Sequence, residues 1–464
     1  ADYMATNGRY LFISGGHGFR DVAGVSILDV SDSRPVCLPN GKSAYVAPEG
    51  GSAAANMPSG LAYADGKLYV AYAKRNLIAV FKVDDASIVT TLAVPTPGRL
   101  MVRSDGVVVA ISKRKVVAVS KDAVTDLITT QLDDPVSVTA GADGTFYVAN
   151  RGALQNVGVY DAQGAYLRSL GMRGGRPAIG RYDPRGMYMA GGIAVDAQNR
   201  LWVAETTDGP KRFSVWDTKT GGNLKEFFGS SSYFGYGFID PEQPDMIYAH
   251  HVLWKINWEK REGAPFSTIW RKTAPDMMDA PGPEGYANLF RMMTATNGRQ
   301  YAWGNGQSKS ILMRRDADVF KPFAAYISTA AETGISLLDS HPETYAGKQY
   351  FWQDANDDQS VQADELSAFG GKWDRRSCVW VEKDFTVWMS NGQVLHPVKV
   401  LENAQPVYDL SKAEDTFFVA TKTGLQHGYF SRDVSGNAYS YRGSVFAKWA
   451  PGGQMVWNYG GIES

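Results

Sequence analysis

The chain has 464 residues, a formal net charge of −1 at pH 7, 44% hydrophobic residues and 20% charged residues. That length allows one very large core or roughly two to three ordinary ones. A charge so close to zero gives no general attraction to nucleic acid or to an anionic membrane surface, so we expect neither as a partner. No apolar run approaches roughly 18 residues, so no membrane-spanning helix is predicted.

Glycine and aromatic residues are abundant, with 49 glycines and 12% Phe, Trp and Tyr. Many tight turns combined with aromatic residues favour an all-β protein built from hairpins. The two cysteines, Cys37 and Cys378, lie far apart, which excludes a disulfide framework and a zinc site. The chain begins at Ala1 without a methionine, which fits a processed, exported protein or equally a shortened one.

The stretch 191–229 contains the clearest structural unit in the sequence. Four short apolar runs lie at 193–195, 201–204, 213–216 and 224–228. Such runs of β-branched and aromatic residues between Asn, Asp and Gly are typical of an antiparallel meander. A meander of this size cannot bury both faces alone, so we expect it to stack on copies of itself.

Copies of its second strand recur along the chain, each with an alanine near its end. The clearest copies lie at 67–72, 106–111, 145–150, 201–205 and 246–250. Their alanines, residues 71, 110, 149, 204 and 249, follow one another at intervals of 39, 39, 55 and 45 residues. Further candidates lie at 9–14, 300–304, 385–389 and 416–421. A period near 40 with four strands per unit is typical of a propeller blade.

We therefore predict an all-β fold, a single β-propeller over residues 1–464 with eight four-stranded blades, or seven as the alternative. The longer intervals predict insertions between blades, an Arg- and Gly-rich one at 171–189 and a second at 350–368. The N-terminal unit has no clear fourth strand in the sequence.

Two segments resemble a known repeat. LWVAE followed by RFSVWD, and FYVAN followed by VGVYD, resemble the NHL-type propeller repeats of secreted bacterial proteins. In that repeat an acidic or amide residue closes the second strand and an arginine opens the third, as Glu205 and Arg212 do here. The resemblance covers roughly residues 57–270, and it implies the fold far more strongly than the function.

Strand direction predicts which loops share a face. Because strands in a blade alternate in direction, the loops from second to third strands and the connections between blades open at the same end. We expect residues 16–18, 150–151, 205–208, 250–251 and Trp303 to gather there. This end is the predicted functional face.

The insertion 171–189 carries four arginines and no lysine: Arg173, Arg176, Arg181 and Arg185. Arginine forks suit bidentate binding of carboxylate, sulfate or phosphate. These arginines, with Trp303 as an aromatic neighbour, are the predicted ligand-binding residues. In the alternative interpretation, the arginines pair with nearby acids or stack on Tyr182 and Tyr188.

Three of the six histidines are candidate catalytic residues. His17 lies between glycines, and His250 and His251 follow a predicted strand, where successive side chains point to opposite sides. Structural histidines or a plain turn explain the same residues. The common hydrolase, metalloprotease, nucleotide-binding and haem-attachment motifs are absent. The sequence therefore leaves open whether the protein is an enzyme.

The strongest local motif is DANDDQSVQADE, at residues 354–365. Oxygen-bearing residues occupy loop positions 1, 3, 5, 7 and 12, namely Asp354, Asn356, Asp358, Ser360 and Glu365. This spacing resembles the calcium loop of EF-hand and dockerin proteins, in which Ca²⁺ takes about six to eight hard oxygen ligands. Gln359 stands at position 6, where that loop has glycine for a sharp turn. We predict a single structural calcium clip, with an acidic surface turn as the alternative.

These features predict a calcium-stabilised, secreted, periplasmic or cell-surface propeller that binds a polymer, in the first place a polysaccharide, on its loop face. One alternative is a polysaccharide-degrading lyase or hydrolase, in which an arginine neutralises a uronate carboxylate and a His or Tyr takes the proton. The other is a protein-interaction scaffold within a larger envelope protein.

Overall fold

The structure is a computed structural model that describes residues 3–14, 24–42, 44–207, 209–229, 237–240, 242–249, 251–278, 290–305, 308–369, 378–416, 429–442 and 445–460. The chain divides into two compact units. Unit 1 contains residues 1–177, 183–207 and 211–229, and unit 2 contains residues 178–182, 208–210 and 230–464. In the described residues of both units the regular secondary structure is almost entirely antiparallel β-sheet, which confirms the predicted all-β fold of the propeller type.

The described part of unit 1 contains five four-stranded sheets, each with its strands in sequence order. The first two consist of β1 Tyr3–Thr6, β2 Tyr10–Ser14, β3 Gly24–Asp29 and β4 Ala44–Val46, then β5 Gly60–Ala64, β6 Lys67–Tyr72, β7 Leu77–Lys82 and β8 Ile88–Ala93. The next two consist of β9 Pro97–Val102, β10 Val108–Ser112, β11 Lys115–Val119 and β12 Val124–Ile128, then β13 Pro135–Ala140, β14 Phe146–Asn150, β15 Val157–Tyr160 and β16 Tyr166–Leu170. A short strand of unit 2, β17 Gly180–Arg181, comes next in the chain. The fifth sheet consists of β18 Ala190–Val195, β19 Arg200–Glu205, β20 Lys211–Asp217 and β21 Asn223–Gly229.

The sheets of unit 1 stack because their strands are apolar on both faces. On one side of the second sheet, Leu68 and Val70 pack with Phe12 of the first sheet. On the other side, Ala71 packs in a cluster with Leu100 of the third sheet. Strands that are buried on both sides lose the strict apolar–polar alternation of a half-exposed sheet, and this explains runs such as LYVAY.

In unit 2, β17 joins the edge of β22 Gly237–Ile239, β23 Met246–Ala249, β24 Val252–Asn257 and β25 Glu262–Thr268. A six-stranded sheet follows, with β26 Phe290–Thr294, β27 Gln300–Asn305, β28 Lys309–Asp316, β29 Val319–Ser328, β30 Gln349–Gln353 and β31 Leu366–Phe369. The next sheet pairs β32 Cys378–Val381, β33 Val387–Met389 and β34 Gln393–Leu395 with β37 Glu414–Asp415, and β35 Pro397–Val400 pairs only with β36 Pro406–Tyr408. The last sheet consists of β38 Tyr429–Arg432, β39 Ala438–Arg442, β40 Val445–Trp449 and β41 Met455–Tyr459.

Helices are short throughout the described residues. Two α-helices, α1 Ser336–Asp339 and α2 Pro342–Tyr345, follow β29, and single 3₁₀ turns occur at Ala73–Arg75, Ala363–Glu365 and Leu410–Lys412. Among the residues described, no helix is long and apolar enough to cross a membrane.

The predicted second strands are second strands in the structure. This holds for β2, β6, β10, β14, β19, β23, β27 and β33, while most of the candidate at 416–421 lies outside the described residues. The N-terminal sheet does contain a fourth strand, β4, which a long connection separates from β3. The described residues hold nine sheets of four or more strands, and the number of blades stays a prediction.

Candidate functional site

The connections between sheets in unit 1 lie at the same end as the loops that join second to third strands. Arg75, in such a loop, donates from Nη1 to the carbonyl oxygen of Pro48 at 2.6 Å. Ser112, at the end of a second strand, donates from Oγ to the carbonyl oxygen of Pro95 at 2.5 Å. Arg151 donates its backbone N–H to Asp134 at 3.1 Å. We call this end of unit 1 the loop end, and the opposite end, with the tight turns, the turn end.

Three loops at the loop end are basic. The second-to-third-strand loops at 73–76, 113–114 and 151–156 contain no acidic residue and five basic ones: Lys74, Arg75, Lys113, Arg114 and Arg151. Of these, Arg114 forms an ion pair with Asp133 at 3.0 Å, and Arg75 donates to backbone carbonyls. Lys74 and Lys113 are exposed and form no ion pair within the described residues. These three loops therefore carry accessible cations, and the connections between sheets at the same end carry Glu49, Asp133 and Asp134.

Arg99 and Arg151 lie nearer the first strands of the sheets. The guanidinium of Arg99, in β9, lies over the ring of Tyr3, in β1, at 4.9 Å from its centroid. Arg151 donates from Nε to the carbonyl oxygen of Ala190 at 2.8 Å and from Nη2 to Oγ1 of Thr206 at 3.2 Å. Arg151 thus reaches the residue directly after Glu205, so the structure brings the predicted loop-face residues 150–151 and 205–206 together within unit 1.

Arg176 of the insertion is a structural residue. Its side chain is buried, and its Nη1 lies 2.6 Å from Oε2 of Glu205, which is buried as well. Arg212 lies 3.0 Å from the other oxygen of Glu205 and donates to the carbonyls of Pro184 and Gly186 at 2.7 Å each. Burial raises the pKa of Glu205, and the two guanidiniums act in the opposite direction. The pair of Glu205 and Arg212 that the repeat implies is therefore present, and Arg176 belongs to the same buried ion-pair cluster.

The other arginines of the insertion are more accessible. Arg173 is exposed beside Gln131 and Asn156. Arg185 is exposed but forms an ion pair with Asp183 at 2.7 Å, and the hydrogen bond from Arg185 lowers the pKa of Asp183. Arg181, in unit 2, lies over the ring of Phe266 and 3.7 Å from Asp318. The alternative interpretation, in which these arginines pair with acids or aromatic rings, thus describes Arg176, Arg181 and Arg185, and Arg173 is left as an accessible cation.

Trp303 does not present an exposed ring. It is 3% exposed and packs edge-on against Trp380 at 5.7 Å, inside a core of unit 2. A buried ring cannot stack on a ligand from solution. His17 and His250 lie outside the described residues. His251 occupies the turn between β23 and β24, and its carbonyl oxygen accepts the backbone N–H of Ile269 at 2.7 Å.

The predicted calcium loop joins β30 to β31 at the edge of the six-stranded sheet, so strands flank it on both sides. Gln359 takes the left-handed backbone conformation, with φ of 61°, that glycine takes at position 6. Both side-chain oxygens of Asp354 accept backbone N–H groups, from Asp357 at 2.7 Å and from Gln359 at 2.9 Å. The substitution of glycine by Gln359 therefore leaves the sharp turn intact.

The charges of this loop are concentrated and partly buried. Asp354 and Glu365 are buried, and burial raises the pKa of each carboxyl. Glu365 accepts hydrogen bonds from Nε1 of Trp352 at 2.8 Å and from the backbone of Ala355 at 2.7 Å. The oxygen donors of this loop and its backbone conformation fit a calcium site. Across the described residues, however, no group of three or more His, Cys, Asp and Glu side chains is arranged to hold a metal ion.

Sequence reasoning did not single out the lysines at 74 and 113 or the contacts of Arg99. A signal for the two lysines was present, because each begins a Lys-Arg pair a few residues after the alanine of a repeated second strand. Arg99 had no such signal, since its neighbours Tyr3 and Gly192 lie roughly a hundred residues away on either side.

Comparison with known proteins gives likenesses to solved structures only. No family model matches the chain, and no curated protein matches it. A protein of unknown function from Bacteroides caccae is 12% identical, with a TM-score of 0.34 over 56% of this chain and 93% of that one. A streptogramin B lyase is 14% identical, with a TM-score of 0.29 over 73% of this chain and 89% of that one. A protein from Lactobacillus plantarum is 15% identical, with a TM-score of 0.34 over 57% of this chain and 84% of that one.

Proposed function

We propose that the protein is an exported propeller-type binding module that takes an acidic polysaccharide at the loop end of unit 1. The observation that carries this proposal is the surplus of basic over acidic side chains in the second-to-third-strand loops at 73–76, 113–114 and 151–156. Clustered cations attract a polyanion and raise its local concentration, and this attraction weakens as salt screens it. Arg173 adds a further exposed cation near these loops.

A polysaccharide suits these cations better than a nucleic acid does. Nucleic-acid surfaces combine a basic groove with exposed aromatic rings on which bases stack. The loops at 73–76, 113–114 and 151–156 contain no Phe, Trp or Tyr, and their charges stand singly or in pairs. Spaced charges of this kind match a polymer that carries one negative group per sugar or fewer.

The test is retention of the whole chain in affinity gels that contain polygalacturonate, alginate or neutral dextran. We expect retention by the two acidic polymers at low salt and none by dextran. The variant Lys74→Glu/Lys113→Glu should lose retention. Its matched control is Lys121→Glu/Lys219→Glu, which makes the same charge change on exposed lysines of the turn end.

Two results would contradict the proposal. The first is wild-type migration that no acidic polymer retards, which would favour a protein partner. The second is equal loss of retention in both double variants, because the charge change would then act without regard to position. Analysis of the polymers for shorter products in the same samples decides between binding and cleavage, since product release would assign the lyase or hydrolase alternative.

We also propose that the loop at residues 354–365 binds calcium and thereby stabilises unit 2. Support comes from the two buried carboxylates, Asp354 and Glu365, and from the turn at Gln359. Asp354, Asn356, Asp358 and Glu365 would supply side-chain oxygens, and Ser360 its carbonyl. Binding would bring together carboxylates whose burial without a cation is costly. Extracellular calcium is abundant enough to fill a weak site of this type, which agrees with export.

Calcium should raise the thermal unfolding midpoint of the wild-type chain and should not raise that of Glu365→Gln. The matched control is Asp364→Asn, in the same loop but exposed and outside the ligand positions. A calcium titration of Glu365→Gln that is the same as that of the wild type would refute the assignment. So would a wild-type midpoint that calcium leaves unchanged.

A further inference from the structure

A polar cleft opens in unit 2 where three short connections between strands meet. These connections join β22 to β23, β26 to β27 and β28 to β29. The cleft has a volume of about 510 Å³, within the range of roughly 300–1,000 Å³ that is usual for ligand pockets. Its lining consists of charged, amide and hydroxyl side chains together with Gly298 and Ala317. A ligand that fits this cleft is therefore polar, because the lining offers no large apolar side chain to cover an apolar one.

Three residues of the cleft lie side by side across neighbouring strands. Thr294 of β26 pairs with Gln300 of β27, and Tyr301 of β27 pairs with Arg314 of β28, so Arg315 stands opposite Gln300. Arg315 donates from Nη1 to Oε1 of Gln300, which places these two side chains on the same face of the sheet. Neighbouring strands lie about 4.8 Å apart, so Thr294 and Arg315 stand roughly 10 Å apart at the two ends of this row.

The charged groups at the two ends of the row are held by neutral partners. Glu242 accepts at Oε2 from Oγ1 of Thr294 at 2.7 Å. Arg315 donates from Nε to the carbonyl oxygen of Ala317 at 2.9 Å, in addition to its bond with Gln300. Within the described residues, neither Glu242 nor Arg315 forms an ion pair. The row thus carries a carboxylate at one end and a guanidinium at the other.

A second guanidinium lines the same cleft. Arg299 is exposed, and its Nη1 contacts the carbonyl oxygen of Asn403 at 3.4 Å, which is long for a hydrogen bond. The other carboxylate of the cleft, Asp316, is paired with Lys321 at 2.6 Å, and the hydrogen bond from Lys321 is the main cause that lowers the pKa of Asp316. Arg299 also lowers that pKa, without an ion pair to Asp316. Two guanidiniums and one carboxylate of the cleft therefore have no ion pair within the described residues.

A buried carboxylate fixes both ends of this arrangement. Asp240 is 1% exposed, and it accepts from Nε2 of Gln300 at 3.0 Å and from the backbone N–H of Glu242 at 2.9 Å. One acid thus positions the glutamine that holds Arg315 and the backbone of the residue that carries the opposite charge. Groups whose positions are set before a ligand arrives lose less conformational freedom on binding.

We propose that this cleft binds a zwitterionic peptide of two or three residues, with its ammonium group at Glu242 and its carboxylate between Arg299 and Arg315. Charges of both signs that are fixed apart match a ligand that carries both signs at a similar separation. An extended chain spans about 3.3–3.6 Å per residue, so two or three residues bridge a row of roughly 10 Å. A guanidinium binds a planar carboxylate through two parallel N–H donors.

The experiment is isothermal titration calorimetry of the whole chain with glycine, diglycine and triglycine, and with triglycine blocked at one end as N-acetyltriglycine or triglycinamide. The variants are Glu242→Gln and Arg299→Gln/Arg315→Gln, with Arg299→Gln alone as a milder change on an exposed residue. Glu259→Gln and Arg261→Gln are the matched controls, on exposed residues between β24 and β25. Circular dichroism and the unfolding midpoint establish that each variant is folded.

We expect the wild type to bind diglycine or triglycine more tightly than glycine, because glycine is too short to reach both ends of the row. Blocking either end of triglycine should weaken binding by on the order of tenfold, since hydrogen bonds between charged groups are lost. Glu242→Gln should weaken the binding of triglycine by a similar factor and leave that of N-acetyltriglycine unchanged, because this ligand has no ammonium group. The arginine double variant should weaken the binding of triglycine and leave that of triglycinamide unchanged.

Four results would overturn the proposal. They are a wild type that binds none of the peptides, binding that neither blocked end weakens, affinity for glycine equal to that for triglycine, and a loss in the two control variants as large as that in the cleft variants. The cleft lies in unit 2, and none of these results changes the expected retention by acidic polysaccharides at the loop end of unit 1. The two proposals therefore stand or fail separately.

Discussion

The two ends of unit 1 use their charged residues differently. At the turn end, aspartates close the turns by accepting backbone N–H groups from residues just after them. Asp85 accepts from Ser87 at 2.9 Å, and Asp217 accepts from Lys219 at 2.7 Å. These bonds imitate a backbone turn, so the acidic residues have a role in folding. At the loop end, Lys74 and Lys113 make no comparable contact within the described residues.

The comparison divides the charged residues into two classes. Consumed charges form ion pairs or hydrogen bonds within the fold, and surplus charges form none within the described residues. A residue whose polar atoms are satisfied within its own turn is explained by stability. An exposed cation with no ion pair is not explained in this way. Exposed lysines occur at both ends, but Lys121 and Lys219 at the turn end share their turns with aspartates, whereas the loops of Lys74 and Lys113 contain no acidic residue. Buried ion pairs such as that of Glu205 belong to the first class although they lie at the loop end.

The largest expected effect is a loss of stability when the buried carboxylate of Glu205 is removed. Glu205→Gln removes the buried carboxylate that the guanidiniums of Arg176 and Arg212 share, and Arg212 keeps its contact with Glu226. We expect the free energy of unfolding to fall by about 3–5 kcal/mol, because removing one partner leaves an uncompensated buried charge. Urea denaturation followed by tryptophan fluorescence measures it, since Trp216 lies beside Arg212.

Glu226→Gln is the matched control for Glu205→Gln. Glu226 contacts the same Arg212 at 2.7 Å but is partly exposed, so its loss should cost less. An equal decrease in the free energy of unfolding in the two variants would show that burial does not determine how much these ion pairs stabilise the fold. The division between consumed and surplus charge at the loop end would then lose its physical basis.

The second effect concerns the surplus charge itself. In Lys74→Glu/Lys113→Glu, affinity for polygalacturonate should fall by on the order of tenfold at low salt, because two attractive charges become repulsive. The free energy of unfolding should stay within about 0.5 kcal/mol of the wild type, as for surface substitutions in general. Titration at several salt concentrations should show a weaker salt dependence than in the wild type. A stability loss as large as the affinity loss would contradict the view that these lysines are surplus.

The sequence predicted the strands well because their signal is local. The alanine near the end of each second strand and the turn residues between strands are visible within about forty residues. The pairing of Glu205 with Arg212 was accessible for the same reason, since they flank one loop. A glutamine is not expected at a sharp turn with positive φ. The backbone hydrogen bonds that Asp354 accepts hold Gln359 in that conformation.

The sequence did not predict which side chains are buried where burial depends on contacts with distant residues. Arg176 reads as one arginine among four in a glycine-rich loop, and only its contact with Glu205 reveals that it is buried. Trp303 reads as a residue at the end of a strand, whereas Trp380, from another sheet, covers its ring. In the sequence Arg99 is an ordinary strand residue. Its contacts with Tyr3 and Gly192 arise only when the sheets stack.

The smallest expected effect sharpens the description of the turn end. Asp196 accepts hydrogen bonds from Nε of Arg200 at 2.7 Å and Nε1 of Trp202 at 2.8 Å, and the bond from Arg200 is the main cause that lowers its pKa. A lowered pKa in the folded state means stability that is present above the ordinary carboxyl pKa, about 4, and is lost as pH falls through the lowered value. Asp196→Asn should therefore unfold at a lower temperature than the wild type at pH 7.

The gap between the two unfolding midpoints should narrow as pH falls below about 4, because the carboxyl then becomes protonated in the unfolded chain while the folded state still holds it charged, and this stability is lost progressively down to the lowered pKa. Affinity for polygalacturonate at pH 7 should be unchanged, since Asp196 lies at the turn end. Lys113→Gln should show the reverse pattern, with weaker binding and an unchanged midpoint at every pH. A loss of binding in Asp196→Asn, with its fold intact, would mean that the ligand also contacts the turn end, and the contrast between the two ends would no longer separate folding from binding.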